Sequence, residues 1–195
     1  MNIREEAIEC DCFYHIFNRG VNGQKVFANN QNFEFFLIKA KLYLLDYFDV
    51  YAYCLMNNHF HFLLRAKPLQ HHATKKSTKT GLHSDDQIYS KQIGKLISSY
   101  TQAFNKVENR HGPLLESPFK RKKIESETYL RNCLIYIHQN PLELGLKLED
   151  YQYSSYRAIA GNKGTAIKKD EVIDYFDTVE FFVFCHKKIV ELDDF

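Results

Sequence analysis

The chain has 195 residues, of which 45% are hydrophobic, with five cysteines and a formal net charge of +2. This length supports one substantial hydrophobic core and gives no reason for two full domains. The odd, scattered cysteines include no Cys-x-x-Cys pair, which argues against a disulfide framework and a structural zinc site. Residues 1–6 are too charged for a signal peptide and no apolar stretch approaches a membrane span, so we expect a soluble cytoplasmic protein.

Along the chain, the patterns predict a strand at residues 11–17, a turn at 18–23 and an amphipathic helix at 32–48. Two strands follow, at 51–56 and 57–64. Residues 70–86 are polar and lack periodicity, which predicts a loop in which His71 and His72 are solvated rather than metal ligands. Further helices are predicted at 88–107, 126–140 and 171–188. This order predicts an α+β domain in which helices back an antiparallel sheet.

His59 and His61 are the most informative residues of the predicted sheet. Strand alternation places both imidazoles on one face, where they could hold one metal ion, and places Phe60, Phe62 and Leu64 on the other. The spacing His-x-His is common, however, and two ordinary strand histidines explain it as well.

A predicted helix carries a second set of polar side chains. Ser126 fits an N-cap, Leu130, Leu134 and Ile137 recur at helical spacing, and Pro141 disfavours continuation beyond Asn140. Four other residues share the opposite face: Tyr129, Cys133, Tyr136 and Asn140. A tyrosine one turn before an amide could deliver a phenol nucleophile and a metal-binding oxygen to one place. A half-buried boundary tyrosine is the alternative in a chain with 13 Tyr.

Positive charge is concentrated in the middle of the chain. Residues 65–123 contain 13 Lys or Arg against 4 Asp or Glu. The densest run, Phe119-Lys120-Arg121-Lys122-Lys123, directly precedes the helix with Tyr136, and it suits contact with nucleic-acid phosphates. A solvated basic loop explains the run equally well.

Four segments in order resemble the single-tyrosine HUH transposases, and among them the REP-associated tyrosine transposases. They are Tyr14-His15-Ile16-Phe17-Asn18-Arg19-Gly20, the stretch from Ala52 to Leu64 that contains Asn57-Asn58-His59-Phe60-His61, Tyr136-Ile137-His138-Gln139-Asn140-Pro141, and Tyr153-Ser154-Ser155-Tyr156. The resemblance spans residues 12–161. It implies a ferredoxin-like sheet with the histidines on a central strand, and it leaves 162–195 as a helical C-terminal extension of unknown role.

The resemblance also implies roles for individual residues. His59, His61 and Asn140 match the metal ligands, and Tyr136 matches the catalytic tyrosine that attacks single-stranded DNA at hairpin-forming sequences and forms a 5′ phosphotyrosine. We expect Arg19 and the basic residues Lys120, Arg121, Lys122 and Lys123 to contact this DNA. Imidazoles with an amide oxygen and open positions for phosphate oxygens favour Mg²⁺ or Mn²⁺.

Several alternatives stay open at this point. The chain could be a DNA-binding module that has lost cleavage, although such a module would not need a metal beside a phenol. It could also be an HUH relaxase or replication initiator, although it has no Gly-rich phosphate loop. The resemblance leaves monomer and homodimer open. Members often carry a Trp shortly before the basic run, where this chain has Leu114-Leu115-Glu116-Ser117-Pro118, and this departure concerns substrate choice rather than chemistry.

Overall fold

The computed structural model of the chain describes residues 7–69, 85–161 and 164–192. Among these residues, four strands and three longer helices lie between residues 13 and 139, and the helices after residue 139 are short. The elements in chain order are β1 Phe13–Arg19, α1 Asn30–Leu44, β2 Phe48–Met56, β3 His59–Ala66, α2 Asp85–Val107, β4 Lys120–Ile124, α3 Glu127–Gln139, α4 Tyr156–Ala160, α5 Lys169–Asp174 and α6 Val179–Cys185.

The four strands form one antiparallel sheet in the order β2-β3-β1-β4. The first six elements run strand, helix, strand, strand, helix, strand, which is the arrangement of a ferredoxin-like domain. The strand with both histidines, β3, pairs with β2 on one side and β1 on the other, so it is central. The predicted α+β fold and the predicted position of the histidines are therefore confirmed.

One face of the sheet packs against α1 and α2. Phe60, Phe62 and Leu64 lie on this face and are buried, as strand alternation predicts. The Phe36 ring of α1 lies 5.0 Å from the ring of Phe60 and 5.0 Å from that of Tyr100 on α2. Each buried aromatic ring of this kind contributes roughly 2–3 kcal/mol to stability, so this layer holds β3 firmly from behind.

The opposite face, which carries His59 and His61, is covered by α3. Leu130, Leu134 and Ile137 are buried in a second core with the sheet residue Leu63, as the helical spacing predicts. Cys133, predicted on the face opposite these leucines, is also fully buried. The cause is that α3 lies directly on the sheet and buries a wider stripe than its leucines mark.

The ends of α3 follow the sequence signals closely. The Ser126 hydroxyl accepts a hydrogen bond from the backbone N–H of Tyr129 at 3.2 Å, as an N-cap does. The helix ends at Gln139, and a 3-10 helix, Asn140–Leu144, follows with Pro141 in its first turn. Asn140 is therefore the residue at which the α-helix changes to a 3-10 helix.

The C-terminal helices pack on the same layer as α3. Val172, Phe176 and Phe182 are buried in the core that contains Leu134. The single helix predicted at residues 171–188 is two short helices, because the chain turns between them at Asp177, whose φ is 60°. The division into a domain at 1–161 and an extension at 162–195 stays a prediction.

Buried polar contacts fasten this C-terminal segment to the end of α3. His138 Nδ1 lies 2.9 Å from His186 Nε2, and His138 Nε2 lies 2.7 Å from the Ser155 hydroxyl. Gln139 donates its amide N–H groups to the backbone oxygens of His186 and Lys188, at 2.9 and 2.8 Å. The motif Tyr153-Ser154-Ser155-Tyr156 thus fastens the chain to its core through the Ser155 hydroxyl.

The other differences from prediction are at element boundaries. The most notable is β4, which is marked in the sequence only as a basic run and pairs with β1 in the structure. The loop predicted at 70–86, with His71 and His72, lies outside the described residues, except that α2 begins at Asp85. None of the helices in the described part of the chain combines the length and apolarity needed to cross a bilayer.

Candidate active site

β3 presents His59 and His61 to the layer of α3. His61 lies opposite Phe17 of β1 and Cys54 of β2, and it is 5% exposed. His59 lies two residues earlier, is the first residue of the strand and is half-buried. The two rings are 5.1 Å apart and nearly perpendicular, at 86°. The strand therefore offers two imidazoles side by side from a rigid support.

The end of α3 brings Tyr136 and Asn140 to these histidines. The Tyr136 ring stands edge-on to His61, with centroids 5.7 Å apart and an angle of 90°. The Asn140 amide N–H groups donate to the backbone oxygens of Tyr136 and Ile137, at 3.0 and 3.4 Å. This leaves Asn140 Oδ1 pointing at His59 Nε2, 3.0 Å away.

These side chains surround one cavity of about 320 Å³. All four residues predicted for the chemistry lie on its wall, together with two of the five residues predicted to contact DNA. The lining residues are Phe17, Asn18, Arg19, Asn58, His59, His61, Lys120, Tyr136, Asn140 and Glu143. The structure therefore brings together residues that lie more than eighty positions apart in the sequence.

The atoms around His59 suit coordination of a cation. Its Nδ1 lies 2.7 Å from Asn58 Oδ1, while its Nε2 faces Asn140 Oδ1. Because the amide nitrogen of Asn140 is already used at the helix end, the atom that faces His59 Nε2 is an acceptor oxygen. An acceptor oxygen opposite a ring nitrogen is satisfied by an N–H on that nitrogen or by a cation between the two atoms. The residues present thus fit a metal held by His59, His61 and Asn140.

The set differs from the commonest protein metal sites. Within residues 7–69, 85–161 and 164–192, no three His, Cys, Asp or Glu side chains are gathered closely enough to hold a metal ion. Two imidazoles and an amide oxygen leave room for oxygen ligands supplied by a substrate, which favours a hard cation over a structural zinc.

No protein-family model and no curated protein sequence matches the chain. A comparison of folds does find a match: a solved structure of a REP-associated tyrosine transposase bound to a REP hairpin has a TM-score of 0.59 with this chain at 16% sequence identity, over 86% of this chain and 94% of that one. The chain has the fold of a REP-associated tyrosine transposase. The predicted resemblance is confirmed at the level of the fold, and the roles of single residues stay predictions.

On this transposase fold, the electrostatics of the cavity favour a neutral ring at His61. Burial lowers the pKa of His61 well below its ordinary value, and the neighbouring His15 and His59 lower it further. A neutral imidazole can coordinate a cation, whereas a protonated one cannot. Burial raises the pKa of the Tyr136 phenol, and the charges of Glu143 and then Cys133 raise it further. The phenolate therefore needs a positive charge nearby.

The basic strand β4 of this fold divides its charges between the two faces of the sheet. Lys120 and Lys122 lie opposite Phe17 and His15 on the histidine face, and Lys120 lines the cavity. Arg121 and Lys123 lie on the other face, where Arg121 hydrogen-bonds Ser90 and Lys123 pairs with Glu9 at 2.6 Å.

Arg19 completes the positive lining of the cavity. Its Nε pairs with the Glu116 carboxylate at 2.7 Å, and its side chain is 64% exposed. The expected DNA contacts at Arg19 and at residues 120–123 stay predictions, and the geometry favours Lys120 and Arg19 among them.

Two notable residues in or beside the cavity, Glu143 and His15, could not be given a role from the sequence. Glu143 lies one turn beyond Asn140 on the 3-10 helix and is exposed, and no pattern marked it out. His15 belongs to the first of the four motifs that carry the resemblance, but no role followed from its position. Its Nε2 lies 2.8 Å from His61 Nδ1.

Proposed function

We propose that the chain is a metal-dependent transesterase that cleaves and rejoins single-stranded DNA at hairpin-forming sequences, as a transposase of the single-tyrosine HUH type. The observation that carries this proposal is the convergence of Tyr136, His59, His61 and Asn140 on one cavity, in a chain with the fold of a REP-associated tyrosine transposase. A phenol beside a set of metal-binding donors is what such chemistry requires.

The reaction uses Tyr136 as its nucleophile. The phenol oxygen attacks the phosphorus of a phosphodiester, and the bond from phosphorus to the 3′ oxygen breaks. The phenol proton passes to solvent, and the departing 3′ oxygen takes up a proton to become a hydroxyl. The DNA is left attached through its 5′ phosphate to the tyrosine. Attack by a 3′ hydroxyl reverses these steps, so no nucleotide cofactor is consumed.

The metal would be Mg²⁺ or Mn²⁺, held by His59, His61 and Asn140. When bound, it would polarise the scissile phosphate and offset the charge that develops on its oxygens. The protein contributes the orientation of the phenol, because the ring of Tyr136 is packed edge-on against His61. Lys120 and Arg19 add positive charge on the wall where a DNA backbone would lie.

The decisive experiment is capture of the covalent intermediate. Labelled single-stranded hairpin DNA is incubated with the protein and Mg²⁺ or Mn²⁺, and the products are separated on a denaturing gel. We expect a covalent adduct that mass spectrometry maps to the peptide containing Tyr136. Tight hairpin binding without any adduct would contradict the proposal and would favour a DNA-binding module that has lost cleavage.

Lys120→Glu is expected to weaken binding of hairpin DNA. The negative slope of log affinity against log salt should become shallower by about one. The reason is that Lys120 lies on the cavity wall and would neutralise one phosphate. Binding is measured by fluorescence anisotropy at several salt concentrations. Lys41→Glu is the matched control, because Lys41 is exposed on α1 behind the sheet and the change of charge is the same. Equal salt slopes in the two variants would remove Lys120 from the DNA contact.

A further inference from the structure

His15 is a buried neighbour of His61 on the same face of the sheet. It projects from β1 on the face that carries the histidines, opposite Leu63, while its neighbour Phe17 lies opposite His61. The rings of His15 and His61 stack at 5.0 Å and 26°, and their nitrogens approach to 2.8 Å. His15 is 0% exposed and does not line the cavity. It therefore contacts the predicted ligand rather than DNA or metal.

This contact decides which nitrogen of His61 is available to a cation. With Nδ1 engaged by His15, the nitrogen left for coordination is Nε2. If His61 Nδ1–H donates to His15, then His61 Nε2 keeps its lone pair. If His15 donates instead, His61 Nε2 carries the hydrogen and cannot coordinate. A ligand-competent His61 thus requires His15 as a hydrogen-bond acceptor.

His15 also contacts the nucleophile. Its ring lies 6.1 Å from that of Tyr136, at an angle of 74°, and 4.9 Å from Phe17. One buried side chain therefore packs against both the predicted ligand His61 and the predicted nucleophile Tyr136, which come from different elements. A shift of His15 would move the two relative to each other.

We infer that His15 is a positioning residue that accepts a hydrogen bond from His61 Nδ1–H and so holds His61 Nε2 ready for the metal. This inference rests on the proposed function, since it assigns His15 a purpose at the same site. Hydrogen bonds to the far nitrogen of a ligating histidine fix its tautomer and orientation, and their loss typically costs 10- to 100-fold in metal affinity.

The test measures Mn²⁺ binding to the full chain without DNA, by titration of the electron paramagnetic resonance signal of free Mn²⁺. His15→Phe keeps a ring of similar volume but removes the acceptor, and we expect it to weaken Mn²⁺ binding about tenfold. His15→Gln restores an acceptor oxygen and should stay within about threefold of wild type. Thermal unfolding verifies that each variant is folded.

His186→Phe is the matched control. It breaks a second buried hydrogen bond between two histidines, that of His138 on α3 with His186. His186 does not line the cavity of His59 and His61. The expected change in Mn²⁺ affinity for this variant is less than about twofold, which separates positioning of the ligand from general loss of packing.

A second readout needs no metal. In metal-free wild type, nuclear magnetic resonance should show a hydrogen-bonded proton on His61 Nδ1, and it should vanish in His15→Phe. A wild-type protein with His61 Nδ1 unprotonated would overturn the inference, as would unchanged Mn²⁺ affinity in folded His15→Phe. Failure of the proposed function gives a different result. The Tyr136 adduct would be missing from wild type, while His15→Phe would still weaken Mn²⁺ binding and remove the His61 Nδ1 proton signal.

Discussion

Tyr136→Phe is expected to abolish the covalent DNA adduct, a loss of at least about a thousandfold in rate, while hairpin affinity stays within about twofold. The substitution removes the phenol oxygen that would attack phosphorus and keeps the ring that packs against His61 and His15. Adduct formation is followed on denaturing gels with labelled hairpin DNA, and affinity is measured separately by anisotropy.

Tyr129→Phe supplies the control for this experiment. Tyr129 lies on the same helix, seven residues earlier, and its ring contacts the Lys122 ammonium at 4.8 Å. It does not line the cavity, so its loss should leave the adduct intact. An adduct that survives in Tyr136→Phe, or one that disappears in Tyr129→Phe, would place the nucleophile elsewhere on the chain.

The second large effect concerns stability in acid. Lowering the pH from 7.5 to 5 should reduce the free energy of unfolding by about 2 kcal/mol through His186 alone. Burial lowers the pKa of His186 from 6.5 to about 4 in the folded protein, against the opposing effect of its hydrogen bond to the Phe182 carbonyl oxygen. Burial, and then the charge of His186, lower the pKa of His138 as well.

The sign follows from proton uptake. Between pH 6.5 and about 4 the unfolded chain binds a proton at His186 that the folded protein does not, so the free energy of unfolding falls as the pH falls. Urea unfolding at pH 7.5 and pH 5 measures this change. His186→Gln should reduce the loss by about 2 kcal/mol, whereas His111→Gln, at an exposed histidine, should leave it unchanged. Equal losses in wild type and His186→Gln would contradict the assignment.

Much of the fold could be predicted from the sequence because the hydrophobic pattern is clear where one face of an element is buried. The alternation through His59-Phe60-His61-Phe62 gives the correct faces of β3, and the Ser126 and Pro141 signals mark the ends of α3. Strand β4 escaped prediction because four of its five residues are Lys or Arg, so it shows no apolar alternation. Charged residues of this kind are usual on edge strands, where they discourage pairing with other chains.

The site was predictable only in part, for a different reason. His59, His61, Tyr136 and Asn140 could be picked out because each stands in a motif with a recognisable spacing. His15 could not be given a role, because its contact with His61 depends on the register between β1 and β3, which sequence spacing does not reveal. Glu143 reaches the cavity because a 3-10 helix turns the chain after Asn140, and a single exposed carboxylate gives no periodic signal.

The double use of Asn140 limits how this site could be re-engineered. Its amide nitrogen donates to two backbone oxygens at the end of α3 while its oxygen faces His59. An aspartate at this position could not donate those hydrogen bonds, and its charge would oppose the negative end of the helix dipole. A redesign that seeks tighter cation binding should therefore keep residue 140 an amide and introduce the extra carboxylate elsewhere on the cavity wall.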